Sequence, residues 1–165
     1  MSLMKLCVWI QHTHIATAVR TSNWLFPTVE TFHIFGLILV IGSIMWLDFR
    51  LLGLSSKTSA SQVARGVLPC AWTGFALSVF TGILLFASEA VRCYTNMAFR
   101  LKILMLLLQG INVALFQFFT YRNVEEWDTG KTPIGAKMAG VVSLVLWMGV
   151  VTAGRWIAYV GEGLS

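Results

Sequence analysis

Charge is almost absent from four long stretches of this chain. Residues 31–47, 66–88, 103–121 and 138–154 hold no Asp, Glu, Lys or Arg, and the last apolar run continues past Arg155 to Val160. A helix needs about 20 mostly apolar residues to cross roughly 30 Å of hydrocarbon at about 1.5 Å per residue. With their flanks, the four windows predict spans over about residues 27–51, 67–90, 100–122 and 137–160. Inside lipid each backbone polar group must be satisfied within its own segment, so each span should be a helix. Ahead of them, "MSLMKLCVWIQHTHIATAVR" holds loosely periodic apolar residues and no small-residue cleavage site. It predicts an amphipathic interfacial helix over about residues 3–20. "TSNWLFP" then supplies a break, with Pro27 in the first turn of the first span. The expected fold class is all-α: one membrane domain over residues 1–165, a four-helix bundle with an N-terminal amphipathic helix.

Composition agrees. Of 165 residues, 57% are hydrophobic and 12% charged, against about 25% charged in a soluble domain. Four spans put both termini on one side, here called the terminal side. The connections after spans one and three form the opposite, loop side. "GLSSKTSASQVARG" and "RNVEEWDTGKTPIGAK" are too short for a soluble domain. Basic residues are balanced, six on the loop side against five, or six with Arg155, on the terminal side. The positive-inside rule needs a clear bias, and the balance gives only a lean towards both termini outside. No basic patch interleaves with aromatics, which argues against nucleic-acid binding. The three cysteines form no CxxC pattern. Cys7 and Cys93 fall on the terminal side, where they are either a disulfide or two unpaired small apolar residues, whereas Cys70 is at the other end.

Small residues set the expected packing. Gly74, Ser78 and Gly82 recur every four residues on span two, Gly110 and Ala114 on span three, and Gly149 and Ala153 on span four. Such spacing lets helix backbones approach closely. Trp24, Trp46, Trp72 and Trp156 are expected as interface anchors, and Trp147 falls mid-span.

The polar residues inside the spans are the candidate chemistry. "PTVETFHIFG" places Glu30 and His33 three apart, on one helix face. Arg155 of span four matches Glu30 in depth, so an ion pair between Glu30 and Arg155 is expected. Lys102, Gln109 and Asn112 fall at i, i+7 and i+10, one stripe of span three. Thr152, Ser78 and Thr81 could meet that stripe. The expected result is a polar pocket open on the terminal side. Three uses compete for it: helix register alone, a bound haem b or quinone, or a proton or solute path. For haem, His33 would be the iron ligand, with His12 or His14 folded over as the second, and Arg100, Lys102 and Arg155 at the propionates. A mononuclear metal on His12, His14, His33 and Glu30 is a further option. Four spans are few for a transporter, so a homo-oligomer would supply missing walls. No catalytic triad, carboxylate pair or phosphate loop is present, which argues against an enzyme. Asp48 and Arg50 could pair with Glu125, Glu126 or Arg122, or snorkel to water.

"FPTVETFHIFGLILVIGSIMWLDFRLLG", "NMAFRLKILMLLL" and "TAGRWIAYV" together resemble a family of small bacterial four-span membrane proteins of unknown function. The resemblance covers nearly the whole chain. It rests most on His33 and Gly36, on Asp48 with Arg50, Leu51, Leu52 and Gly53, on Asn96, Phe99 and Lys102, and on Gly154 with Arg155. It implies a multi-pass protein of the bacterial inner membrane and points at His33, Lys102 and Arg155, while His12, His14 and Glu30 lie outside its pattern. The resulting expectation is a small membrane subunit, in contact with lipid and with other membrane subunits or its own copies. Its pocket would serve electron transport through haem or quinone. The alternatives are solute or proton transport by an oligomer, and a purely structural accessory role.

Overall fold

The computed structural model describes residues 2–54, 58–128 and 131–159. Two sequence expectations, Lys57 on the loop side and the end of the fourth span at Val160, lie outside the described residues. The described residues form eight α-helices: α1 Leu3–Gln11, α2 His14–Thr21, α3 Leu25–Leu52, α4 Ala60–Ser88, α5 Ala90–Thr95, α6 Met97–Leu115, α7 Val124–Trp127 and α8 Ile134–Trp156. A π-helical turn at Phe116–Thr120 and a 3₁₀ turn at Tyr121–Asn123 join α6 to α7. Four helical runs are long and apolar enough to cross a membrane: α3, α4, Met97–Trp127 and α8.

Local chemistry explains the breaks. The expected single N-terminal helix is two, because Thr13 caps α2, its Oγ1 accepting from the Ala16 amide at 3.4 Å. Ser59 caps α4 through the Gln62 amide, and Asn96 caps α6 through the Phe99 amide at 3.2 Å. α3 stops at Gly53, whose φ of 98° is left-handed, as a helix C-cap requires. The link between α4 and α6 is a short helix rather than a bare loop. Its first turn is held by Gln11, whose Oε1 accepts from the Val91 amide at 2.9 Å.

α3 is the hub. It packs along α4 and against α8, and α8 packs on α6. Phe86 of α4 stacks on Phe99 of α6, centroids 5.5 Å apart. The small-residue face of α4 does what its spacing predicts. A Cβ on Gly74 would lie 2.7 Å from the Gly36 carbonyl oxygen, and one on Gly36 would lie 2.9 Å from the Ser78 amide nitrogen. The two backbones therefore touch. Gly149 similarly admits the Met105 thioether. Gly110 and Ala114 differ from expectation: both are exposed and Gly110 has open space around it, because α6 turns its polar stripe, not its small residues, to α8. Trp24, Trp46, Trp72 and Trp156 are exposed. Trp147 faces inward and joins Val40 and Val150 in an apolar layer, packed by Ile41, Ile44, Met105 and Leu106.

Replacing Gly74 by Leu should drive α3 from α4 and lower stability by about 1–3 kcal/mol, the usual cost of overpacking. Gly42→Leu, where no atom lies within 4 Å, should leave the melting midpoint in detergent unchanged.

Candidate functional site: a buried carboxyl beneath the loop side

Asp48 sits just over one turn before the end of α3, where Gly140 brings α8 against it. A Cβ at Gly140 would lie 3.3 Å from the Asp48 carbonyl oxygen. The side chain is 4% exposed. The Ser143 hydroxyl on α8 faces its carboxyl. Gln109 of α6 donates from Nε2 to Ser143 Oγ at 2.8 Å. Accepting that bond leaves the Ser143 hydroxyl proton available to the neighbouring carboxyl. Two acceptors remain without a partner among the described residues: Asp48 Oδ2 and Gln109 Oε1. A buried acceptor left bare costs about 1–3 kcal/mol, more for a charge. Ser143 is nine residues into α8, about 14 Å from its start at the usual helical rise.

Asp48 opens on a cavity of about 80 Å³, whose other polar lining is Asn112, Gln117, Tyr121 and Ser143. A water occupies about 30 Å³ of liquid and needs two to four polar partners, and these side chains are the candidates here. The wall is shaped by the π-helical turn of Phe116–Thr120. Such turns often sit at functional sites. A second, wider opening of about 320 Å³ lies between α6 and α8 and shares Asn112, Phe116 and Ala139 with the first. Asn112 spans the boundary, its Nδ2 donating to the Ala139 carbonyl at 3.0 Å.

Arg50 follows Asp48 by two residues on α3. It is 1% exposed, and its guanidinium donates to the Thr58 carbonyl, to the Asp128 carbonyl at 3.1 Å and to Thr132 Oγ1 at 3.2 Å. One side chain thus ties the end of α3 to both loop-side connections. The Asp128 carboxylate meanwhile accepts from the Ser61 amide at 2.8 Å and from the Ser61 hydroxyl, at the start of α4. A carboxylate belongs there, at the positive end of the helix dipole. Partial burial works against its charge, but the bonds from Ser61, Ser59 and the Ala60 amide outweigh it and hold the carboxyl below its ordinary value. The expected pairing of Asp48 and Arg50 with Glu125, Glu126 or Arg122 is therefore replaced. Those three are exposed, while Asp48 and Arg50 are buried and neither snorkels. The signal available in the sequence was Asp128 in "EEWDTGKTP", one connection away from the Ser59–Ser61 cap.

The terminal-side residues are arranged differently from the expected pocket. His33 points into the α3–α4 seam, beside Gly82. Its Nδ1 is 3.0 Å from the Ser78 carbonyl oxygen and 3.1 Å from Thr81 Oγ1. A carbonyl only accepts, so Nδ1 carries the proton and Nε2 is left as the acceptor. Ser78 and Thr81 thus meet His33 rather than the α6 stripe, and Thr152 bonds its own helix at the Met148 carbonyl. The stripe itself is real and faces α8: Lys102 lies by Gly154, Gln109 by Ser143, Asn112 by Ala139. Asn112 therefore belongs to the Asp48 cavity and not with His33. Glu30 is exposed, and Arg155 turns to Tyr159, Nη2 to Oη at 3.0 Å, instead of to Glu30. Arg100 bonds the Tyr94 carbonyl. His12 and His14 are exposed at the α1–α2 junction, and none of the three histidines lines either cavity. Among the described residues no group of three or more His, Cys, Asp or Glu side chains gathers as a metal site. Cys7 and Cys93 are buried free thiols on the terminal side, and burial, with Glu89 nearby, pushes the Cys93 thiol up to about 11. The Val40–Trp147–Val150 layer lies between the His33 and Asp48 regions.

The chain belongs to the family of unknown function DUF6644, whose model matches residues 7–160 and so takes in all four long helices, Asp48 and His33. No curated protein and no solved structure matches it.

The Asp128 bonds make a pH prediction. A carboxyl depressed in the folded state adds stability above its unfolded value, about 3.9, and loses it as pH falls through the lower folded value. The melting midpoint of detergent-purified protein should hold from pH 7 to about 4 and fall below that. Asp128→Asn should start lower at pH 7 and lose much of the acid-side drop.

Proposed function

We propose that this protein exchanges protons inside the bilayer, with Asp48 as the proton-binding group of a small proton or solute carrier. The observation that carries this reading is the bare Asp48 Oδ2, on a carboxyl 4% exposed and facing a cavity. An ionisable residue within a membrane segment is costly, about 2.5–3.5 kcal/mol at mid-helix on insertion scales, and such residues mark ion and proton pathways. Ser143 and Gln109 orient the carboxyl, and Tyr121, Gln117 and Asn112 give water a polar foothold beside it. In this reading protons reach Asp48 from the loop side, through the cavity lined by Gln117 and Tyr121. The apolar layer of Val40, Trp147 and Val150 blocks onward movement, so transfer to the His33–Lys102 side requires α8 to shift on α3. Coupling to a solute would use the same shift.

A second reading, a redox cofactor, has two observations in its favour. His33 donates its Nδ1 proton to a backbone carbonyl and leaves Nε2 free, the arrangement a metal-bound histidine uses. The wider opening between α6 and α8 is of ligand size and shares Asn112, Phe116 and Ala139 with the Asp48 cavity, so it could admit a quinone headgroup.

In liposomes carrying a pH-sensitive dye, the wild-type protein should dissipate an imposed pH gradient, and Asp48→Asn should fall to the leak of empty liposomes while Asp128→Asn continues to conduct. Wild-type protein as tight as empty liposomes, with and without a membrane potential, would sink the proposal. A Soret band that shifts on reduction and disappears in His33→Ala, or an extractable quinone, would select the second reading.

A further inference from the structure

We propose that the corner where α5, the start of α6 and the end of α8 meet binds the acidic headgroup of a membrane phospholipid, with Lys102 and Arg155 as its cationic contacts. The inference is independent of Asp48 and begins from Lys102. Lys102 lies six residues beyond the Asn96 cap, about 9 Å into α6 at the usual helical rise. It is half-buried, and its Nζ would lie 3.6 Å from a Cβ at Gly154. The lysine side chain therefore lies along α8 at Gly154, one residue before Arg155. A lysine held inside a membrane segment calls for an anion.

Among the described residues the neighbouring cations pair with no carboxylate. Arg92 donates to the Ala158 carbonyl at 3.2 Å, and Arg100 to the Tyr94 carbonyl at 3.0 Å while lying over the Tyr94 ring. Arg155 donates to the Tyr159 hydroxyl and lies over its ring, 5.4 Å from the centroid. Each is matched by a neutral group among the described residues. Four positive charges from three helices thus share one corner, stitched together by Arg92 and by Asn96, whose Nδ2 donates to the Ile157 carbonyl at 3.1 Å.

The depth of Lys102 favours a lipid over a soluble anion. A phosphodiester tethered to acyl chains already resides at the membrane surface, whereas a free ion would have to leave water to reach this level. Trp156 and Met97, both exposed beside the corner, offer apolar surface for the chains. Basic pockets between membrane helices take acidic headgroups in this way.

The test is the melting midpoint of delipidated protein in neutral detergent, read by tryptophan fluorescence. Phosphatidylglycerol should raise it by about 3 °C or more, whereas phosphatidylcholine and inorganic phosphate should not. The gain should vanish in the double variant Lys102→Gln, Arg155→Gln and persist in Arg65→Gln, Lys137→Gln on the loop side. If the double variant does not fold, the wild-type gain must still shrink as sodium chloride rises to about 1 M, where screening is nearly complete. An equal gain from phosphatidylcholine, or a gain that survives the double variant or high salt, overturns the proposal. An equal gain from inorganic phosphate reassigns the corner to a soluble anion and overturns the lipid assignment.

Discussion

Lipid removes the usual reason for helices to pack, because acyl chains are as apolar as the leucines they would replace. What remains is backbone proximity and polar bonding, and α3 concentrates both. Gly36 and Gly74 bring α3 and α4 into backbone contact, and Gly140 brings α8 onto the last turns of α3. Every other feature is placed by those two approaches. His33 is carried into the α4 seam, within reach of Ser78 and Thr81. Asp48 is carried under α8, within reach of Ser143.

The bundle is thereby divided along its length. One polar region, around His33 and Lys102, belongs to the terminal side. The other, around Asp48, belongs to the loop side. Between them Val40, Trp147 and Val150 form a layer with no bonded polar group; the Trp147 indole N–H has no partner among the described residues. A polar region on each side of an apolar barrier is the arrangement a carrier needs at rest. The Arg50–Asp128 clasp ties both loop-side connections to the end of α3, two residues beyond Asp48.

Charge-free windows were enough to find the four long helices, because a membrane demands length and apolarity from each span independently of its neighbours. The α4 packing face was legible for a similar reason, since glycine spacing is a local signal. The i, i+7, i+10 stripe of Lys102, Gln109 and Asn112 was legible as one face, and that face does meet α8. Its division was not. The stripe carried Asn112 into the expected terminal-side pocket, but antiparallel packing sets it opposite Ala139, on the other side of the apolar layer. Asp48 was read as an interfacial charge because it stands only three residues before the expected end of the first span at residue 51. Burial there depends on where Gly140 crosses α3, on the Asp128 side of a different connection, and on the π-helical turn. None of these is a property of the "WLDFRLLG" stretch. Glu30 and Arg155 matched in depth but not in direction, since Arg155 finds Tyr159 one turn along its own helix.

The central claim is that Asp48 is a carboxyl that gains and loses a proton within the protein interior. Infrared difference spectroscopy of the reconstituted protein, stepped between acid and alkaline pH, reads this directly. The account predicts a carbonyl stretch of a protonated carboxyl that appears and disappears with pH, is absent in Asp48→Asn, and shifts in frequency in Ser143→Ala as the neighbouring hydroxyl is removed. A carbonyl band that is unchanged in Asp48→Asn, or no titrating carboxyl band at all, would contradict it.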